Sequence, residues 1–163
     1  MRYTPDRITK LKENALFVFG SNLLGEHGGG SARQAFDEFG AEWGVGEGLT
    51  GQCYAFPTLD EKYGKRTQTE LVHSVGKLVK TANKYPDKTV LVTKVGCGIA
   101  GYRESDMISL FRSHKLPVNL VLPRGWTMNR QIIERILADI QFLLDAPSSD
   151  FQDEGERWEG IGK

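Results

Sequence analysis

Two stretches of the chain combine residue types and spacing suited to holding a phosphate-bearing ligand. The first is Phe19-Gly-Ser-Asn-Leu-Leu-Gly-Glu-His-Gly-Gly-Gly-Ser31, where an apolar run passes through glycines into the start of a helix. Gly28, Gly29 and Gly30 let the backbone come close to a ligand, and the N–H groups opening the next helix, with its positive dipole end, suit phosphate oxygens. The second is Gly96-Cys-Gly-Ile-Ala-Gly101, a G-x-G-x-x-G pattern that also follows an apolar run. A dinucleotide-binding fold places that pattern on its first strand, with an acidic residue about 20 positions later for the ribose hydroxyl. Here the following strand ends Val121-Leu-Pro123 without an acid. Residues 96–101 are therefore expected to form a second anion-wrapping loop, and the two loops to close on a diphosphate from both sides.

Several other side chains are candidates for chemistry. His27 beside the glycines can orient a water or touch a ribose, although a histidine in a polar loop is more often structural. Asp60 and Glu26 are candidate bases and equally candidate turn residues. Cys97 sits where helix N–H groups can favour a thiolate, while a buried structural cysteine is the commoner outcome. Trp126 can stack on a base or seal the sheet. No Walker loop, nucleophile elbow or kinase motif occurs.

Composition narrows the classes. Of 163 residues, 39% are hydrophobic and 26% charged, which suits one folded domain and excludes disordered and fibrous chains. Lys+Arg and Asp+Glu are 21 each, so non-specific nucleic-acid binding, which needs many phosphate-neutralising cations, is not expected. No apolar run approaches the roughly 20 residues of a membrane span, and the start does not resemble a signal peptide, so a cytoplasmic location is expected. With Cys53, Cys97, His27, His73 and His114 scattered, no metal spacing appears, and neither a metal nor a cofactor is expected.

The elements that position these residues alternate. Residues 15–19 read as a strand buried on both faces. A helix opens near Ser31 and stops at Gly40, its C′ residue. Residues 44–51 read as a flexible glycine stretch, and 52–56 as a strand ended by Pro57. Thr67-Gln-Thr-Glu70 has capping-box spacing before a helix with Leu71, Val75, Leu78 and Ala82 on one face. Residues 89–95 and 118–122 read as strands, with a helix between them capped by Ser105. A final helix over 129–144 carries Ile132, Ile133, Ile136, Leu137, Ile140 and Leu143 as its expected buried stripe. Residues 145–163, with six acids and two bases, read as a mobile acidic tail in which Phe151 and Trp158 can dock. Strands alternating with helices predict a three-layer α/β/α fold with a central mixed sheet over residues 1–144.

Three segments together resemble the macrodomain superfamily, whose members bind ADP-ribose. Gly20-Ser-Asn22, Leu23-Leu24 and Gly28-Gly-Gly30 are similar to its N-A-A-N segment with glycine run, and Gly98-Ile-Ala-Gly-Tyr102 to its S-T-G-I-Y-G-Y-P segment. Asp6-Arg-Ile-Thr-Lys-Leu11 looks like its G-D-I-T-x-L entry, with one inserted residue. The resemblance covers residues 6–144. It implies that Asn22 bonds the distal ribose and that Gly28, Gly29 and Gly30 approach that ribose and its phosphate. Gly98, Ile99, Ala100 and Gly101 would wrap the diphosphate with Tyr102 behind them, and Asp6 would accept from the adenine amino group. Ser21, Ser31, Gly96, Cys97 and Trp126 complete the expected contacts. Besides Ala100 in place of the first tyrosine of the second segment, two departures matter more: Phe19 replaces the first asparagine, and Ala32 stands where many ADP-ribosyl hydrolases of the superfamily carry an aspartate. The expected ligand is ADP-ribose or an ADP-ribosylated macromolecule. If the linkage is hydrolysed, His27 or Asp60 would activate the water and Asn22 would orient the sugar. A non-enzymatic ADP-ribose reader and a protein-interaction module using the acidic tail are the alternatives.

Overall fold

The computed structural model describes residues 3–127 and 130–145, the side chains of 130–132 excepted. In chain order the elements are β1 (Ala15–Asn22), α1 (Gly30–Phe39), β2 (Gly48–Thr50), β3 (Cys53–Leu59), α2 (Gln68–Lys84), β4 (Thr89–Val92), α3 (Glu104–Arg112), β5 (Leu120–Val121) and α4 (Arg130–Asp145). The strands form one mixed sheet in the order β2-β3-β1-β4-β5. Only β2 runs antiparallel to its neighbour.

The continuous apolar run of β1 is explained by its central place. Phe17 and Phe19 enter a core with Ala32, Ala35 and Phe39 of α1, while Leu16 and Val18 enter the opposite core with Leu71, Val75 and Leu78 of α2 and Met107, Leu110 and Phe111 of α3. β3 divides the same way, with Cys53 and Ala55 on the first face and Tyr54 and Phe56 on the second. Three layers follow: α1, the sheet, then α2 with α3. The layering also follows from topology. The step from β1 to β3 and the step back across β1 to β4 run in opposite directions, and right-handed crossovers therefore put α1 and α2 on opposite faces.

The capping box forms as its spacing predicts: the Thr67 hydroxyl accepts from the Glu70 N–H at 3.3 Å, and the Glu70 carboxylate accepts from the Thr67 N–H at 2.7 Å. Gly40 closes α1 at φ 78°. Other expectations need correction. Residues 44–51 are not merely flexible, because 48–50 pair with 53–55 as a short hairpin. Pro57 does not end β3. It lies past the last β2 pair, Gly48–Ala55, and is paired with Ser21 of β1, so its missing N–H falls beyond the neighbouring strand. The cap of α3 is Arg103, not Ser105, and the expected strands at 89–95 and 118–122 shorten to β4 and β5.

Helix α4 is described by itself. Of its expected buried stripe, Ile136, Leu137, Ile140 and Leu143 are exposed, because helical period identifies an apolar face without showing that anything covers it. Residues 146–163, with Phe151 and Trp158, lie outside the described residues. Among the described residues no helix is long and apolar enough to cross a membrane.

Candidate functional site

β1 lies between β3 and β4, so the chain leaves it in one direction and later returns past it. In parallel sheets such a switch leaves a crevice at the carboxyl ends of the strands. The carboxyl ends of β1 and β3 and the residues just after β4 open onto a cavity of about 520 Å³ lined by both glycine loops: Gly28, Gly29 and Gly30 on one side, Gly96, Gly98, Ile99 and Ala100 on the other. The loops meet across it, since a Cβ on Gly29 would lie 3.7 Å from Ile99 Cδ1. A second cavity of about 450 Å³ adjoins it, lined by Asp6, Arg7, Gln34 and Thr93, and the two share Gly30, Ser31 and Lys94.

Each loop is held from outside. Tyr102 donates its hydroxyl to the carbonyls of Thr58 (3.2 Å) and Arg66 (2.6 Å), and Lys65 reaches the Gly101 carbonyl at 2.7 Å, fastening residues 96–102 to the end of β3. Gly96 turns the chain at φ 79°, where a Cβ would approach the Tyr102 ring to 3.1 Å, whereas Gly98 has no heavy atom within 4 Å of its Cβ position and faces open space. The first loop is clamped by Asn22, whose side-chain amide donates to the Glu26 carbonyl at 2.9 Å and accepts from the Glu26 N–H at 3.1 Å. Beneath it, Gly25 packs so closely on residues 44–45 that a Cβ would sit 2.3 Å from the Gly44 carbonyl carbon. Gly29 leads into α1 without a side-chain cap, so the helix opens beside the cleft with N–H donors and a positive dipole end.

The charged side chains are unevenly placed. Lys94 is the one cation and Glu26 the one carboxylate among the residues lining the first cavity. Lys94 pairs with Glu104 at 3.0 Å, and that hydrogen bond and charge hold its pKa above the usual lysine value. Glu104 in turn accepts from the Trp126 indole N–H at 2.8 Å, and this bond, together with Lys94, holds its carboxyl below the ordinary range. Glu26 accepts a hydrogen bond from the Tyr63 hydroxyl, which raises the Tyr63 pKa. Tyr63 has φ 59°, a left-handed conformation that costs a non-glycine residue about 1–3 kcal/mol.

Ser21, Asn22, Gly28, Gly29, Gly30, Ser31, Gly96, Gly98, Ile99 and Ala100 therefore gather at one cleft, with Asp6 in the adjoining cavity. Asp6 is carried there by Thr4, which bonds the Leu122 and Val121 carbonyls beside β5. Gly101 and Tyr102 stand behind the second loop as supports.

Four expected assignments change. His27 is fully buried, edge-on to Phe19 at 5.1 Å, with its Nε2 on the Glu42 carbonyl at 2.9 Å, so it holds the loop from below and does not line the cleft. Phe19 supplies the apolar wall against which this ring packs. Asp60 also does not line it. Its carboxylate accepts from the N–H groups of Lys62 and Gly64, both at 2.8 Å, and shapes the turn that presents Tyr63. Trp126 is fully buried against Phe111 and is no stacking platform. Cys97 does not line the cavity and packs instead against the core beneath α2 and α3, and burial, with the nearby Glu104 charge, pushes its thiol pKa up, which disfavours a nucleophilic thiolate.

No family model matches the chain, and no curated protein matches it. Among solved structures, a protein of unknown function from Bacteroides thetaiotaomicron aligns at TM-score 0.42 and 14% identity, over 64% of this chain and 82% of that one.

Lys94, Trp43, Tyr63 and Thr58 line the first cavity without having been singled out in the sequence. Lys94 had a signal, as a charged residue inside a β-branched run that leads into Gly96. Trp43, among glycines, had a weaker one. Tyr63 had none, because its role depends on a positive φ and on a loop 37 residues away in sequence. Among the described residues no group of three or more His, Cys, Asp or Glu side chains could hold a metal ion.

Proposed function

We propose that the cleft binds ADP-ribose or an ADP-ribosyl group, and that the chain is a divergent macrodomain. The convergence of the two glycine loops on one cavity carries this reading. Backbone donors from both sides suit a diphosphate, and they need no excess of basic residues in a chain with balanced charge. The bipartite shape adds to it. The two cavities meet at Lys94, Gly30 and Ser31, where a cation and a helix start would face the anionic middle of an elongated ligand. The second cavity offers Asp6 as an acceptor for a base amino group, and the first has room for a terminal ribose beside Glu26. Their sizes lie within the roughly 300–1,000 Å³ of small-molecule sites.

Isothermal titration calorimetry of the full chain tests this reading. One site for ADP-ribose with micromolar affinity is expected, adenosine alone binding at least tenfold more weakly because it lacks the diphosphate. No heat at millimolar ADP-ribose would overturn it.

A further inference from the structure

We propose that Glu26 is the acid–base residue of the first cavity, oriented by Tyr63, and activates a water for attack on the anomeric carbon of a bound ADP-ribosyl group. The proposal rests on the ADP-ribose reading above and assigns a chemistry to it.

Glu26 is the one carboxylate and Tyr63 the one phenol among the residues lining that cavity. The two are hydrogen-bonded to each other from loops 37 residues apart in sequence. Both line the first cavity alone, whereas Lys94, Gly30 and Ser31 are shared with the second. A diphosphate seated at the shared residues, with its base toward Asp6, therefore places its outer sugar on the side of Glu26.

The surrounding structure is organised around this pair. Asn22 fixes the Glu26 backbone through both its N–H and its carbonyl. Asp60 fixes the 60–64 turn through two backbone N–H groups, and that turn holds Tyr63 at φ 59°, the one positive φ at a non-glycine residue among the described residues. A left-handed tyrosine persists only where its surroundings impose it, and such outliers concentrate at functional sites. Asn22 and Asp60, two of the three side chains expected from sequence to be catalytic, thus act as positioning residues for two others.

The step balances with water as the co-reactant. The water oxygen bonds to the anomeric carbon and gives a proton to the Glu26 carboxylate. The bond from that carbon to the oxygen or nitrogen of the modified macromolecule breaks, and its electron pair leaves with the macromolecule. Glu26 returns the proton to that leaving atom. Free ADP-ribose is released, and Glu26 is again a carboxylate. The Tyr63 hydroxyl, bonded to one carboxylate oxygen, fixes the orientation of the Glu26 side chain. Ala32, which carries no acid, is then no obstacle, since the carboxylate enters from the neighbouring loop.

The test compares the full-length wild type with Glu26→Gln and Tyr63→Phe. Two readouts are used: calorimetric ADP-ribose affinity, and release of ADP-ribose from a carboxylate-linked peptide, an arginine-linked peptide and a base-linked DNA oligonucleotide. The wild type should release ADP-ribose from at least one probe. Glu26→Gln should slow that release about 100-fold or more while keeping ADP-ribose affinity within about threefold. Tyr63→Phe should lower kcat about tenfold with KM unchanged, a split that a general loosening of the fold would not give. Equal rates in wild type and Glu26→Gln, or a wild type that binds ADP-ribose and releases it from no probe, would overturn the acid–base assignment and leave the binding reading standing. A wild type that does not bind ADP-ribose would overturn both.

Discussion

Replacing Asn22 by alanine separates a loop clamp from a ligand contact. The side chain makes two hydrogen bonds to the Glu26 backbone, at 2.9 and 3.1 Å, in a buried setting. Each is worth about 0.5–1.5 kcal/mol net, and both partners are main-chain groups left without replacement, so a loss of about 1–3 kcal/mol is expected. For a unit of this size, at roughly 3–4 °C per kcal/mol, Tm should fall by about 3–12 °C. Differential scanning calorimetry without ligand measures it directly. Asn22→Asp keeps the acceptor but sets a carboxylate against the Glu26 carbonyl, so it should recover less than half of the loss. An unchanged Tm in Asn22→Ala would refute the clamp and return Asn22 to a role in touching ligand.

Three further expectations follow from the same geometry. Lys94→Met should weaken ADP-ribose binding about 3- to 10-fold and flatten its dependence on salt, as expected for a half-exposed cation near a diphosphate; titration at two ionic strengths checks both. Thr67→Ala should remove the α2 capping box and cost about 1 kcal/mol in chemical denaturation. Burial alone would raise the Glu47 pKa, but hydrogen bonds from Lys77 and Ser74 and the charges of Lys77 and Arg66 outweigh it and leave the carboxyl below its ordinary value of 4.5. A depressed carboxylate stabilises the fold above its unfolded-state value, and that contribution is lost as pH falls through the folded value. Glu47→Gln should therefore be less stable at pH 7, with a shallower decline in stability below about pH 4.5; parallel unfolding curves across that range would show otherwise.

What could be read from the sequence was decided locally or by strong patterning. The α2 start is legible because Thr67 and Glu70 lie within one turn of each other. β1 is legible because burial on both faces demands an unbroken apolar run, and the two glycine loops because backbone freedom shows in composition. What escaped depends on partners distant in the chain. Pro57 belongs in β3 only because β2 has already ended beside it. Trp126 leaves the ligand list because Phe111 and Glu104 take its ring and its N–H. His27 leaves it because Phe19 and Glu42 enclose it. Asn22 stands out in the sequence through the resemblance and Asp60 as a candidate base or turn residue. Their partners turn out to be backbone groups of their own loops, and the carboxylate and phenol they position become visible only when those loops face each other.

An amide-resolved NMR titration of the full chain with ADP-ribose tests most directly the claim that two separate glycine loops form one diphosphate cradle. The amides of residues 28–31 and 96–101 should shift together and saturate with a single dissociation constant. Shifts confined to one loop, or none at millimolar ligand, would contradict it.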